Sequence, residues 1–304
     1  MPILTYREAI REAIREEMVR DDRVFLMGEE VGLFAGAYKV SEGLLDEFGA
    51  RRVIDTPIAE NGFIGAAIGA AMVGLRPIVE VMTWSFSFMA FDQIVNHAAK
   101  IHYMFGGAVR VPMVIRGAGG GGAQLTAQHS HSPEAFFAHV PGLVVVSPAT
   151  PADAKGLLKA SIRSDDPVMF FETMTLYLTK GEVPEGDHVV PIGKADVKRP
   201  GRDVSILAHG PATILALQAA KTLEHDGVDA EVVDLRSLRP LDVEAIARSV
   251  KKTSRAVVVE EGWPSYGTDA EVCAIIQEHA FDYLDAPVAR VGGAEVPMPY
   301  NKNL

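Results

Sequence analysis

Short apolar runs alternate with helix-like segments along almost the whole sequence, and few architectures accommodate that order. In the first half, Val24–Met27, Pro77–Met82, Val111–Ile115, Leu143–Val146 and Val168–Phe171 read as strands. Helical signals fall between them. Thr5-Tyr6-Arg7-Glu8 fits a capping box, and Ile10, Ile14 and Met18 follow on one face. Gly62–Gly74 is a helix of small residues, and Phe88–Tyr103 has an amphipathic period. Thr150-Pro151-Ala152-Asp153 offers Thr as N-cap and Pro at the first helical position. Such alternation implies βα units and a mainly parallel sheet covered on both faces. Glycines and prolines break the pattern between Leu178 and Arg202. Beyond them, strands at Val204–Ala208, Ala230–Val233, Ala256–Val259 and Val288–Val291 alternate with helices at Ala212–His225, Val243–Val250 and Asp269–His279. The predicted fold is α/β: two three-layer α/β/α domains, residues 1–178 and a smaller 203–304, joined by a linker, 179–202.

Composition excludes several function classes. The 304 residues suit about two domains at roughly 100–200 residues each. The formal net charge of −11 lacks the basic footprint that nucleic acid or an anionic membrane requires. One cysteine, Cys273, excludes an intrachain disulfide framework and any multi-cysteine metal site. The start, Met1-Pro2-Ile3-Leu4-Thr5-Tyr6, has no basic segment followed by an apolar run. The longest apolar stretch, Gly62–Leu75, falls short of the roughly 20 residues that a spanning helix needs. A cytosolic or organelle-matrix protein is expected.

Four constellations could carry chemistry. Gly117-Ala118-Gly119-Gly120-Gly121-Gly122 satisfies G-x-G-x-x-G after a strand, but no helix opens from it and Gly142 stands where a dinucleotide site needs an acid. A flexible or close-approach loop fits better. Asp55-Thr56-Pro57-Ile58-Ala59-Glu60-Asn61 leads into the small-residue helix, with Glu60 at its mouth. On its own that acid reads as a partner of the helix dipole, and Gly65 and Gly69 bare one helix face for close packing. Thr83-Trp84-Ser85-Phe86-Ser87-Phe88-Met89 is a strand-to-helix turn of aromatics, in which Phe86 offers a flat surface to a planar ligand. Gln128-His129-Ser130-His131-Ser132 is a polar loop. Its histidines lack a third ligand at metal spacing, and no G-x-S-x-G elbow supports a serine nucleophile. Proton donation by one histidine fits.

The residues then carry a specific resemblance. Gly28-Glu29-Glu30-Val31-Gly32, Gly36-Ala37-Tyr38-Lys39-Val40, Asp55 to Glu60, Phe91-Asp92-Gln93-Ile94-Val95-Asn96, Ala127-Gln128-His129-Ser130, Arg236-Ser237-Leu238-Arg239-Pro240-Leu241-Asp242 and Glu260-Glu261-Gly262 occur in order along the chain. This pattern resembles the beta subunit of thiamine-diphosphate-dependent 2-oxo acid dehydrogenases, of the transketolase-like superfamily. Tyr103-Met104-Phe105-Gly106-Gly107 is most similar to the pyruvate branch. The resemblance implies oxidative decarboxylation of pyruvate with transfer of the acetyl unit to lipoyl, in an α2β2 tetramer docked on a dihydrolipoyl acyltransferase core. Thiamine diphosphate is then shared with an alpha subunit, whose Gly-Asp-Gly motif holds the diphosphate and magnesium. This chain has no Gly-Asp-Gly and is expected to be inactive alone.

By the same resemblance, Glu60 hydrogen-bonds the aminopyrimidine and controls its tautomer, and a water-poor pocket would help it hold a proton. Phe86 packs on that ring, Glu29 and Ile58 contact the cofactor, and His129 assists transfer to lipoyl sulfur. His131 has no counterpart and reads as a loop residue, and Met89 stands where relatives often carry a polar residue. A structural potassium ion is implied at the backbone carbonyls of Met113, Ser161, Ile162, Ser164 and Asp166. Relatives usually run roughly 20 residues past Leu304, so a C-terminal helix and part of the docking surface are expected to be missing. Acetoin or branched-chain 2-oxo acids stay open as substrates. A non-catalytic scaffold and an unrelated nucleotide-binding protein are the further alternatives.

Overall fold

The computed structural model describes residues 1–301 and Asn303. Lys302, Leu304 and the expected C-terminal extension lie outside the described residues. Two sheets form the two halves. The larger has seven strands, in the order Ser237–Arg239, Val144–Val146, Val168–Thr173, Val114–Gly119, Arg76–Thr83, Val24–Glu29 and Val53–Thr56. All pair in parallel except Ser237–Arg239, which runs antiparallel to Val144–Val146. The five-stranded sheet has the order Ala289–Val291, Ala256–Val259, Val204–Ala208, Ala230–Asp234 and Asp196–Arg199, of which only the last pairs antiparallel.

Side-chain alternation along the strands makes the layers. Leu26, Ile78, Val114 and Val168 face one side, where the helices Tyr6–Arg20 and Pro151–Arg163 pack together. Met27, Val79, Ile115 and Met169 face the other, covered by the helix Glu60–Met72 through Phe63, Ile64, Ala67 and Ala71. Both predicted caps form. The Thr5 side chain accepts from the Glu8 amide and Glu8 reaches back to Thr5, while Thr150 accepts from the Asp153 amide. The second core cluster does not stop at the half-way point. Leu207, Val233 and Val258 of the smaller sheet belong to it, so the two halves share apolar packing. Among the described residues no helix is long and apolar enough to cross a membrane.

Three expectations change. The amphipathic helix over 88–103 is instead a 3-10 segment, Trp84–Ala90, a π-helical segment, Gln93–Ala98, and a short helix, Ile101–Met104. Burial of Trp84 against Phe171, with ring centroids 3.9 Å apart, forces a tight turn before the helical period can establish itself. The strand expected at 111–115 lies at Val114–Gly119 and takes in the start of the glycine run. A Cβ at Gly117 would sit 2.3 Å from the Val81 carbonyl oxygen, so glycine is what lets these strands meet. Finally, residues 179–202 are not a bare connector. Lys180–Glu182 pairs with Ile3–Thr5, and Asp196–Arg199 joins the smaller sheet. These short polar strands carry no apolar period to read.

Candidate active site

The larger sheet has its topological switch between Val24–Glu29 and Arg76–Thr83, because the chain pairs Val53–Thr56 on one side of Val24–Glu29 before crossing to the other. Ligands bind at the carboxyl ends of strands at such points. Here those ends carry Glu29, Thr56 and Thr83. Glu29 Oε1 and the hydroxyls of Thr56 and Thr83 are buried without a hydrogen-bond partner. Leaving such groups unmet costs about 1–3 kcal/mol each, which marks a place built to receive polar atoms. Asp55 orders the neighbouring loop by accepting from the amides of Gly32 (2.6 Å) and Leu33 (3.1 Å).

Glu60 is the first residue of the Glu60–Met72 helix and is buried. The preceding Ala59 provides no side-chain cap, so the helix end depends on the acid and on whatever binds there. Burial first, and then the charges of Glu60 and Glu30, push the Glu29 carboxyl up to about 7. Two acids from different elements therefore lie near enough at the switch for the charge of Glu60 to act on Glu29. Neither makes a side-chain hydrogen bond among the described residues.

The helix packs on the Trp84–Ala90 turn. There Phe86 is half-buried and meets His129 edge-on, centroids 5.1 Å apart. His131, expected to be an uninvolved loop residue, is tied in. Its Nδ1 lies 2.9 Å from Ser85 Oγ, its ring meets Phe88 edge-on at 5.4 Å, and burial lowers its pKa. Ile58 is 82% exposed and Met89 71% exposed, so both face outward from the chain. Leu33, Phe34, Tyr103 and Met104 are exposed apolar residues as well.

The proposed potassium carbonyls gather around one turn. The guanidinium of Arg76 donates to the carbonyls of Ile162 (3.0 Å) and Ser164 (2.8 Å). Ser161 accepts from the Ser164 amide and Met113 from the Val168 amide. Asp166 is exposed beside them.

Sequence reading passed over a buried ionic layer beneath the site. Arg116 pairs with Glu80 and, through two nitrogens, with Glu172, and the Tyr177 hydroxyl donates to Glu172 at 2.7 Å. Burial and the nearby Glu172 charge raise Glu80, against the pull of Arg116. The signal was present: one charged residue stands inside each of three adjacent apolar strands.

Known proteins agree with this layout. Residues 3–179 match the transketolase pyrimidine-binding domain and residues 193–304 the transketolase C-terminal domain. The chain is 52% identical to the pyruvate dehydrogenase E1 component subunit beta of Rickettsia felis, covering 99% of this chain and 92% of that one. It is equally 52% identical to the mitochondrial subunit of Drosophila melanogaster, of which it covers 84%, and to the Rhizobium meliloti subunit, of which it covers 66%. A split-gene transketolase solved as an inactive beta4 tetramer superposes with a TM-score of 0.81 at 26% identity, over 99% of this chain and 92% of that one. The chain belongs to the family of pyruvate dehydrogenase E1 component beta subunits, built on the transketolase-like pair of α/β domains.

Proposed function

We propose that this chain supplies the pyrimidine-facing half of a thiamine diphosphate site and works with an alpha subunit, in an α2β2 tetramer, to decarboxylate pyruvate oxidatively and acetylate the lipoyl group of a dihydrolipoyl acyltransferase. One observation carries this reading: the unpartnered buried atoms of Glu29, Thr56 and Thr83 converge on the topological switch point, where Glu60 is also buried at the start of its helix and Phe86 is half-buried. That donor set fits a flat, hydrogen-bonding heterocycle. When bound, thiamine diphosphate supplies the nucleophilic carbon and accepts the electrons released with carbon dioxide.

In this proposal Glu60, buried at the start of its helix, would hydrogen-bond a ring nitrogen of the cofactor and hold the proton there. Glu29, raised towards neutrality, limits the negative charge the two acids present together. Phe86 gives the ring a flat apolar wall, and the outward-facing Ile58 would contact the cofactor from the side turned to the alpha subunit. His129, in the loop that meets Phe86, delivers a proton to the dithiolane sulfur as its disulfide opens. Magnesium and the diphosphate are left to the alpha subunit, since this chain lacks Gly-Asp-Gly. An inactive all-beta assembly of a split-gene transketolase accords with a chain that needs its partner. The exposed stripe Gly62, Ala66, Gly69 and Val73 is the proposed subunit contact, its small residues allowing close approach. The division into residues 1–178, a linker and 203–304 is retained for the two functional halves, and the second half is proposed for beta–beta contact and core docking. Potassium is proposed at the backbone carbonyls of Met113, Ser161, Ile162, Ser164 and Asp166, where it would have to compete with the Arg76 guanidinium for the Ile162 and Ser164 carbonyls. A bacterial cytoplasmic or an organelle-matrix setting suits the activity.

The test is assembly with the cognate alpha chain. Thiamine-diphosphate-dependent dye reduction is expected with pyruvate well above acetoin or branched-chain 2-oxo acids. Turnover by this chain alone would refute the shared site. A thermal shift specific to potassium over sodium tests the carbonyl turn.

A further inference from the structure

The loop that carries His129 leaves the larger sheet after Gly119, makes one 3-10 turn at Ala127–His129 and runs on to the helix Glu134–Ala138. Both of its ends are held by one carboxylate of the second half. Glu261, just past the strand Ala256–Val259, accepts from the Gly121 amide through Oε1 (2.9 Å) and from the Ser132 hydroxyl through Oε2 (3.1 Å). Between these contacts the Gly120 amide donates to the His131 carbonyl at 2.9 Å. Gly120 has a φ of +83°, and a Cβ there would lie 2.5 Å from Glu261 Oε2. Glycine at 120 is therefore what admits the carboxylate.

Within the loop, Gln124 and Thr126 adopt positive φ values of 55° and 80°. The Ser130 hydroxyl donates to the Thr126 carbonyl at 2.7 Å, and Thr126 Oγ1 lies 3.4 Å from His129 Nδ1. Strained residues persist only where their surroundings over-determine them, and a loop closed at its base loses most of its alternative shapes. His131 then joins that base to Ser85, the neighbour of Phe86, and Phe86 meets His129.

We propose that Glu261 is a positioning residue, which clasps the base of this loop and thereby holds His129 opposite Phe86. The proposal rests on His129 acting in transfer to lipoyl and extends that machinery into the second half of the chain. Glu261 touches no reacting atom; its effect passes through the loop.

The test compares Glu261→Ala, Glu261→Gln and His129→Ala, each assembled with the alpha chain. Hydrogen exchange over residues 120–131 is measured without cofactor, and acetyl transfer to a lipoyl domain is measured beside dye reduction. Loss of two hydrogen bonds should speed exchange in Glu261→Ala about tenfold or more. Transfer should fall about fivefold further than dye reduction, and Glu261→Gln, which keeps an acceptor, should recover most of both losses. Unchanged exchange in Glu261→Ala would overturn the clasp. Equal losses in the two assays, while His129→Ala does separate them, would overturn the link to His129. If His129→Ala fails to separate the assays, the assignment of His129 falls and takes the link with it, and exchange alone then decides whether the clasp exists.

Discussion

The two sheets end differently at their carboxyl edges. In the larger sheet Glu29, Thr56 and Thr83 stand there with buried atoms that nothing in the chain meets. In the smaller sheet the corresponding edge carries His209, Asp234 and Glu260. Each of those groups holds a protein hydrogen bond, although His209 Nδ1, Asp234 Oδ2 and Glu260 Oε1 are themselves buried without a partner among the described residues. Glu260 accepts from the Thr268 amide at 3.0 Å, His209 lies 3.1 Å from the Thr268 hydroxyl, and Asp234 accepts from the Arg236 amide. The same edge is sealed against the first half, where Asp153 binds Lys198 at 2.5 Å and Arg236 at 2.6 Å. One architecture thus gives an open edge, whose unmet atoms belong to side chains with no protein hydrogen bond, and a sealed edge, whose side chains each hold at least one and which is tied by ion pairs to the first half. The fold supplies the position, and the pairing of polar groups decides its use.

Several substitutions can break or sharpen that contrast. The largest effect is expected at the open edge. Glu60→Gln should lower dye reduction by the assembled enzyme about a hundredfold or more, the scale of lost acid–base catalysis; near-normal turnover would remove Glu60 from the chemistry. At the sealed edge, Asp153→Ala should leave Lys198 and Arg236 sharing Asp196 alone at close range and destabilise the protein by about 2 kcal/mol, less than for a fully unpaired buried charge. Denaturant unfolding measures this, and a change under about 1 kcal/mol would mean the seam does not depend on that acid.

Glu29→Gln probes the open edge by pH, against a background in which burial also pushes Asp234 of the other edge up to about 7. The folded value of Glu29, about 7, lies above the ordinary carboxyl value of 4.5, so between them the native state binds more protons than the unfolded one. Stability from this group therefore falls as pH rises through that window. Removing the acid should stabilise the chain by about 1 kcal/mol at pH 8 once solvent screening is allowed for, with the gain vanishing towards pH 4.5. A pH-independent change in melting temperature would contradict the unpartnered acid. The smallest effect is expected away from both edges. Arg15, paired with Glu47 at 2.7 Å on the surface, should cost under about 1 kcal/mol when changed to Ala.

What could be read without coordinates was local. The caps at Thr5 and Thr150, the apolar strands and the small-residue helix depend on neighbours a few positions away, and they form as expected. Glu60, Phe86 and His129 were named through motifs, and the structure brings Phe86 and His129 into contact. The rest required tertiary contacts. Whether Gly117 lies in a loop or a strand is decided by the Val81 carbonyl. Whether His131 is idle is decided by Ser85. Glu261 reaches Gly121 across the boundary between the halves, a separation that no periodicity encodes. Chain order fixes which residues can cap and pleat, because those forces act over a turn or a strand. Which polar groups are met and which are left open depends on distant segments arriving together, and that is settled only when the sheets pack.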